Sequence, residues 1–173
     1  FNFKVGNTDS RDMYVINVNR ARYKEKLFPG TFNLVLSGSD GSVASKIQLT
    51  DNSKDVTTLT YTDAGRVFDI VSGTNGSAVS ESVTGSVTGG YTPSGSYGKF
   101  LPDVGLVLLN PRALALSASE GGVGLVINDD LTNTALVANN SALFESIQLA
   151  QTFSLNSEET ITSDYIFVRV RNT

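Results

Sequence analysis

Short runs of alternating apolar and polar residues, each closed by Gly, Asn, Asp or Ser, limit what this chain can fold into. In Tyr14-Val15-Ile16-Asn17-Val18, the residues Tyr14, Ile16 and Val18 fall on one face. Phe32, Leu34 and Leu36 do so in Thr31 to Leu36, as do Ile47 and Leu49 in Lys46 to Thr50. Side chains two apart share one face of a strand, so each run predicts a strand with one buried side. Thr57 to Thr62, Arg66 to Val71 and Tyr165 to Arg171 read the same way. The last offers Ile166, Val168 and Val170 to a core, with Arg169 and Arg171 facing away.

The residues between these runs supply the turns. In Pro29-Gly30, Pro presets φ and Gly accepts a positive φ. Asp40-Gly41 between two strand candidates is a hairpin signal, and Asp63-Ala64-Gly65 and Thr74-Asn75-Gly76 resemble it. Strands recurring about every ten residues predict an antiparallel sandwich, a meander or a small barrel.

The second half differs. Val104 to Leu109 is almost wholly apolar, as in a strand covered on both faces. Asn110-Pro111 reads as an N-cap followed by Pro at the first helical position, opening a short helix through Leu116. Ser141 to Gln151 predicts an amphipathic helix with Leu143, Ile147 and Ala150 on one face and Phe144 beside them. The fold class expected is therefore mainly β with a minor α/β second half, an antiparallel sandwich or meander of low helix content. Residues 1–79 form the β-rich half and 99–173 the mixed half, within a single domain of 173 residues. Between them, residues 80–98 are rich in Ser, Thr and Gly, including Gly85, Gly89, Gly90, Gly95 and Gly98. This stretch reads as a loop or arm that would order on a partner. No Gly-Lys-Ser/Thr triplet makes it a phosphate loop.

Chemistry is sparse. The chain has no Cys and no His, which removes the commonest base, the commonest metal ligand and every thiolate. Ser45-Lys46 is a nucleophile beside an amine, but strand neighbours point to opposite faces. The carboxylates Asp69, Asp103, Glu120, Asp129, Asp130, Glu145, Glu158 and Glu159 could pair only through the fold, and most sit in turn-like contexts. Asp103, after Pro102, is expected to tie the entrance of the following strand. Asp40-Gly41-Ser42 and Asn128-Asp129-Asp130 offer hard oxygens but do not match a twelve-residue calcium loop. Asn75-Gly76-Ser77 and Asn139-Asn140-Ser141 match the glycosylation pattern at about chance frequency. No catalytic residue, cofactor or metal is expected, and the chain is not read as an enzyme.

Seventeen acidic against thirteen basic residues give a net charge of −4, which argues against nucleic acid as a partner. No apolar run reaches the roughly 18–20 residues that cross a bilayer, so no membrane partner is expected. Charged residues make up 17% of the chain, leaving a surface solvated mostly by Ser, Thr and Asn. Arg20, Arg22, Lys24 and Lys26 nonetheless cluster, and together with Tyr91 and Tyr97 they are the candidate inter-subunit contacts. The chain opens at Phe1 and stops at Thr173 within a charged, strand-like run, which reads as a piece of a longer chain.

Three stretches carry a resemblance. The segment Tyr14 to Phe32, with its Arg22-Tyr23-Lys24-Glu25-Lys26-Leu27-Phe28-Pro29-Gly30 core, is similar to a segment of large virion structural proteins of T4-like tailed phages infecting cyanobacteria and marine bacteria. Tyr97 to Pro111 and Tyr165 to Thr173 resemble two further segments of those proteins, in the same order. The resemblance implies a virion component of the tail or baseplate, in contact with other virion proteins as a homo-oligomer or within a multi-subunit assembly. It carries over no enzymatic residue. A receptor-binding or adhesin module, with Tyr91 and Tyr97 in an exposed patch, is the alternative, as is a capsid decoration protein. A particle-associated hydrolase using Glu120 or Asp129 is the third reading, and no activity is expected from it.

Overall fold

The computed structural model describes residues 3–5, 8–9, 12–38, 46–78, 97–118, 121–125 and 132–163. Ser80 to Ser96, Tyr91, Asp40 to Ser45, Glu120, Asn128 to Asp130 and Tyr165 to Thr173 lie outside them.

The fold is mainly β, and the alternating runs form its sheet. Strand β1 (Lys4–Val5) pairs with β2 (Thr8–Asp9) as a small separate ribbon. The main sheet contains β3 (Tyr14–Asn17), β5 (Asn33–Ser37), β6 (Lys46–Asp51), β8 (Gly65–Thr74), β10 (Gly98–Leu101), β11 (Leu106–Leu109) and β12 (Phe153–Ser154). Their spatial order is β12-β5-β6-β8-β10-β11-β3, with every neighbouring pair antiparallel. The short strands β7 (Thr60–Thr62) and β9 (Ser77–Ala78) form hairpins with the two ends of β8. Of the arrangements expected, this is the meander. A second ribbon joins β4 (Lys26–Leu27) to β13 (Ser157–Glu158).

Turn chemistry sets the registers. Between β8 and β9 both Asn75 and Gly76 have positive φ, 51° and 85°, the pair of conformations a tight two-residue hairpin needs. Thr57 to Leu59 lie outside the strand expected there, and β7 keeps only three exposed residues.

Two helices follow. Asn110 caps α1 (Pro111–Ala115) by accepting from the Arg112 N–H, with Pro111 at the helix start as expected. Helix α2 runs Asn133–Ala150 and begins eight residues earlier than the apolar pattern predicts. Its first turns face the sheet with Ala135 and Asn139, small or polar residues that leave no apolar period to read. Thr132 caps it by accepting from the Ala135 N–H. Gln151 closes it in the left-handed conformation, its N–H donating to the Ile147 carbonyl.

The sheet curls round α2. The Ser146 hydroxyl donates to the Ser37 carbonyl (2.6 Å) and accepts from the Ser37 N–H (3.1 Å), while the Tyr14 hydroxyl donates to the Asn139 carbonyl (3.3 Å). Ser37 ends β5 and Tyr14 begins β3, with β6, β8, β10 and β11 between them. In a flat sheet, strand steps of about 4.8 Å would separate β5 and β3 by roughly 24 Å. Asn139 and Ser146 are only about 10 Å apart along one helix. The meander therefore rolls into an open trough that α2 stoppers. Its interior holds Phe32, Leu34, Leu36, Leu49, Ile70, Phe100, Val107, Leu109 and Leu114, all fully buried. Phe32 stacks on Phe100 with ring centroids 5.5 Å apart. Phe3, Val67, Leu101 and Leu108 form a smaller cluster on the outer face, so β11 is covered on both sides.

Candidate functional site

The basic segment Arg20 to Lys26 leaves β3 through a short 3₁₀ turn, Arg20–Arg22, capped by the Asn19 side chain accepting from the Ala21 N–H. Arg20 lies over the Tyr23 ring, 4.7 Å from its centroid, and donates to the Glu25 carbonyl. Asn17, Val18, Asn19, Arg20, Tyr23, Asp103 and Val104 line an open groove of about 620 Å³ beside it.

The segment's charges are met from the far end of the chain. Residues 151–160 leave α2 and run antiparallel to residues 24–35. The Val35 N–H donates to the Thr152 carbonyl, β12 pairs with β5, and the Phe28 N–H donates to the Asn156 carbonyl. The Asn156 N–H in turn donates to the Thr31 hydroxyl, and β13 then pairs with β4. Along this strap Glu159 pairs with Lys24 at 2.7 Å, and Glu158 pairs with Lys26 at 3.7 Å. The Thr160 N–H donates to the Glu25 carboxylate. Of the four basic side chains, that of Arg22 alone has no partner among the described residues. The segment is thus largely neutralised within the chain.

Arg66 sits behind this ribbon. Its guanidinium holds Asp103 (2.8 Å) and Glu158 (3.3 Å), and its backbone N–H also donates to Asp103. Gly65 has φ 95° and backs onto the Asp103 side chain, which a Cβ would strike. Burial alone would raise the Asp103 carboxyl. The Arg66 hydrogen bonds, with the Arg66 and Lys26 charges, outweigh it and hold the group below its ordinary value. Asp103 does tie the strand entrance, as expected, and it does so ionised. Such a carboxylate is a poor proton donor, although it shares an arginine with Glu158. Asp69 pairs with Lys99. Glu145 lies exposed on α2 with no charged partner among the described residues. No group of His, Cys, Asp and Glu among the described residues could hold a metal ion.

Tyr97 corrects the expectation of an exposed tyrosine patch. It is fully buried, its hydroxyl donates to the Gly121 carbonyl at 2.6 Å, and burial pushes the phenol pKa up. The Ser/Gly-rich residues before it suggest exposure, but Tyr97 enters β10 on the trough side. Tyr91 lies outside the described residues. Asn139, the first residue of one glycosylation pattern, is buried on α2.

The residues that local patterns did not reveal lie elsewhere. Asp51 is fully buried at the end of β6 and accepts from the N–H groups of Gly30 and Ser53. Its spacing to Ser53 is that of an Asx turn, which was a readable signal. On α2, Val137 and Phe144 are exposed on one face, 65% and 61%, with Leu136 and Leu149 flanking them. Ser141 and Gln148 share that face at helical spacing, and Glu145 is the only charged residue of the helix. The sequence pattern puts Phe144 beside the buried stripe. One step of about 100° from Leu143 instead turns it outward.

The fold and site define a helix-stoppered antiparallel meander with a strapped basic edge. Compared with protein families, with curated proteins and with solved structures, the chain matches none of them.

Proposed function

We propose that the chain is a structural component of a tailed-phage virion, in the tail or baseplate, and that it holds neighbouring subunits together. The observation that carries the holding role is the outer face of α2. Val137, Phe144, Leu136 and Leu149 stand exposed on a helix with one charge in eighteen residues. Large apolar side chains left exposed together, here interspersed with Ser141 and Gln148, are of the kind that marks a contact surface. Neighbouring virion proteins would cover this face, and no reacting group is needed for that. The setting rests on the three resembling segments, Tyr14 to Phe32, Tyr97 to Pro111 and Tyr165 to Thr173.

The test is incorporation into particles. Phe144→Ser leaves the buried face of α2 untouched, so stability is expected to stay within about 0.5 kcal/mol of the parent. Incorporation of the variant into purified particles should nonetheless fall severalfold. Normal incorporation, or absence of the parent chain from intact particles, would overturn the proposal. Copy numbers in multiples of three or six support the tail or baseplate, whereas hundreds of copies point to capsid decoration. A receptor-binding module loses support from the burial of Tyr97.

A further inference from the structure

We propose that residues 151–160 are an exchangeable strap, and that the same segment of a second copy of this chain can replace it on β5 and β4, linking the two subunits. The strap is attached at an edge rather than built into the core. No residue from Gln151 to Thr160 is buried, and only Leu155 and Glu158 are half-buried. Its sheet pairing amounts to two residues in β12 and two in β13. The trough is filled mainly by residues of other segments, so the strap can leave without emptying it.

The acceptor edge is already specific for this segment. It offers the Val35 and Phe28 N–H groups, the Thr31 hydroxyl, and Lys24, Lys26 and Arg66 placed against Glu159 and Glu158. A second copy carries the same backbone groups and the same two carboxylates in the same order. Exchange of an identical element requires no new complementarity, which makes it a low-cost route to association. The hinge is marked too. Gln151 adopts φ 56°, a conformation that L-residues other than Asn and Asp seldom take. Letting the chain run straight on from α2 relieves it and carries the strap away from its own edge. The vacated edge of β5 must then be paired again. At low concentration the chain's own strap wins, because its effective concentration is on the order of mM. In a crowded array the neighbour's strap competes on equal terms.

The exchange requires no virion setting, so its failure and that of the preceding proposal are separate results. Lys26 and Glu158 are directly opposed in register, and the chain has no cysteine of its own. A chain bearing Lys26→Cys is held at about mM concentration with one bearing Glu158→Cys, then diluted and oxidised. Disulfide heterodimer is expected to exceed either homodimer roughly tenfold. A heterodimer no more than about twice either homodimer, the ratio random pairing of equal amounts gives, overturns the proposal.

The unaltered chain provides a second measurement by size-exclusion chromatography with light scattering. Its dimer-to-monomer ratio should rise about tenfold for each tenfold rise in free monomer. A chain bearing both substitutions, oxidised at low concentration to lock its own strap, should remain monomeric. An unaltered chain that never dimerises, or a locked chain that dimerises equally well, also overturns the proposal.

Discussion

Replacing Asp51 tests whether a single buried carboxylate organises the turn that the strap crosses. Asp51 is fully buried, with the Gly30 N–H 3.0 and 2.9 Å from its two oxygens and the Ser53 N–H 3.0 Å from one of them. Asp51→Ala leaves both donors without their acceptor, the Gly30 N–H in a buried site and the Ser53 N–H in a half-buried one. Hydrogen bonds to a charged group contribute about 1.5–3 kcal/mol each, so the two together amount to roughly 3–6 kcal/mol. Removing a buried charge returns part of its desolvation cost, which brings the expected loss to about 3 kcal/mol. Domains of this size are stable by about 5–15 kcal/mol, so the variant should fold and be measurable.

Urea denaturation followed by circular dichroism provides the assay, and the midpoint should fall by about 1–3 M. Asp51→Asn retains one acceptor oxygen and should lose roughly half as much. The turn also carries Phe28 and Thr31, which hold Asn156 of the strap. Hydrogen exchange at the Phe28 and Asn156 amides should therefore accelerate in the Ala variant before global unfolding. A loss below about 1 kcal/mol for Asp51→Ala would refute the reasoning, as would an Asn variant as damaged as the Ala variant.

Two further predictions concern ionisation. Asp103 titrates below its ordinary value of 3.8, so its ionised form stabilises the fold. That contribution is complete above the unfolded value and lost as pH falls through the lower folded one. The stability difference between parent and Asp103→Asn should be constant near neutrality and shrink below about pH 4. A difference unchanged through the acid range would contradict the pairing with Arg66. Tyr97 has the opposite sign, because burial raises its phenol above the ordinary 10.0. The neutral phenol stabilises the fold below that value, and the contribution is lost as pH rises beyond it. Tyr97→Phe should cost about 1–2 kcal/mol at neutral pH by orphaning the Gly121 carbonyl. It should also remove one late-titrating tyrosine from the ultraviolet titration. Tyr14, also raised by burial, titrates late in parent and variant alike, so a late amplitude undiminished in the variant would contradict the burial of Tyr97.

Period-two burial was legible in the sequence because it is a local property. Phe32, Leu34 and Leu36, and then Ile47 and Leu49, fill the trough as their spacing requires, and Asn110-Pro111 opens a helix where cap chemistry places one. The closure of the trough was not legible, since it depends on contacts made across the fold. The first half of α2 faces the sheet through Ala135 and Asn139, and its longest-range ties are hydroxyls, Tyr14 to Asn139 and Ser146 to Ser37. None of these contributes to an apolar period. The candidate site failed to show itself for the same reason. Read alone, Arg20 to Lys26 looks like an unsatisfied basic patch, and Glu158 and Glu159 look like two surface acids. The two segments lie about 130 residues apart, and only α2, by turning the chain back at Gln151, brings them into register. What the local pattern did contain was the matching order, Lys24 and Lys26 against Glu159 and Glu158 in antiparallel sense. Such a match does not depend on which copy of the chain supplies each half, and that is why the strap that closes one subunit is also suited to join two.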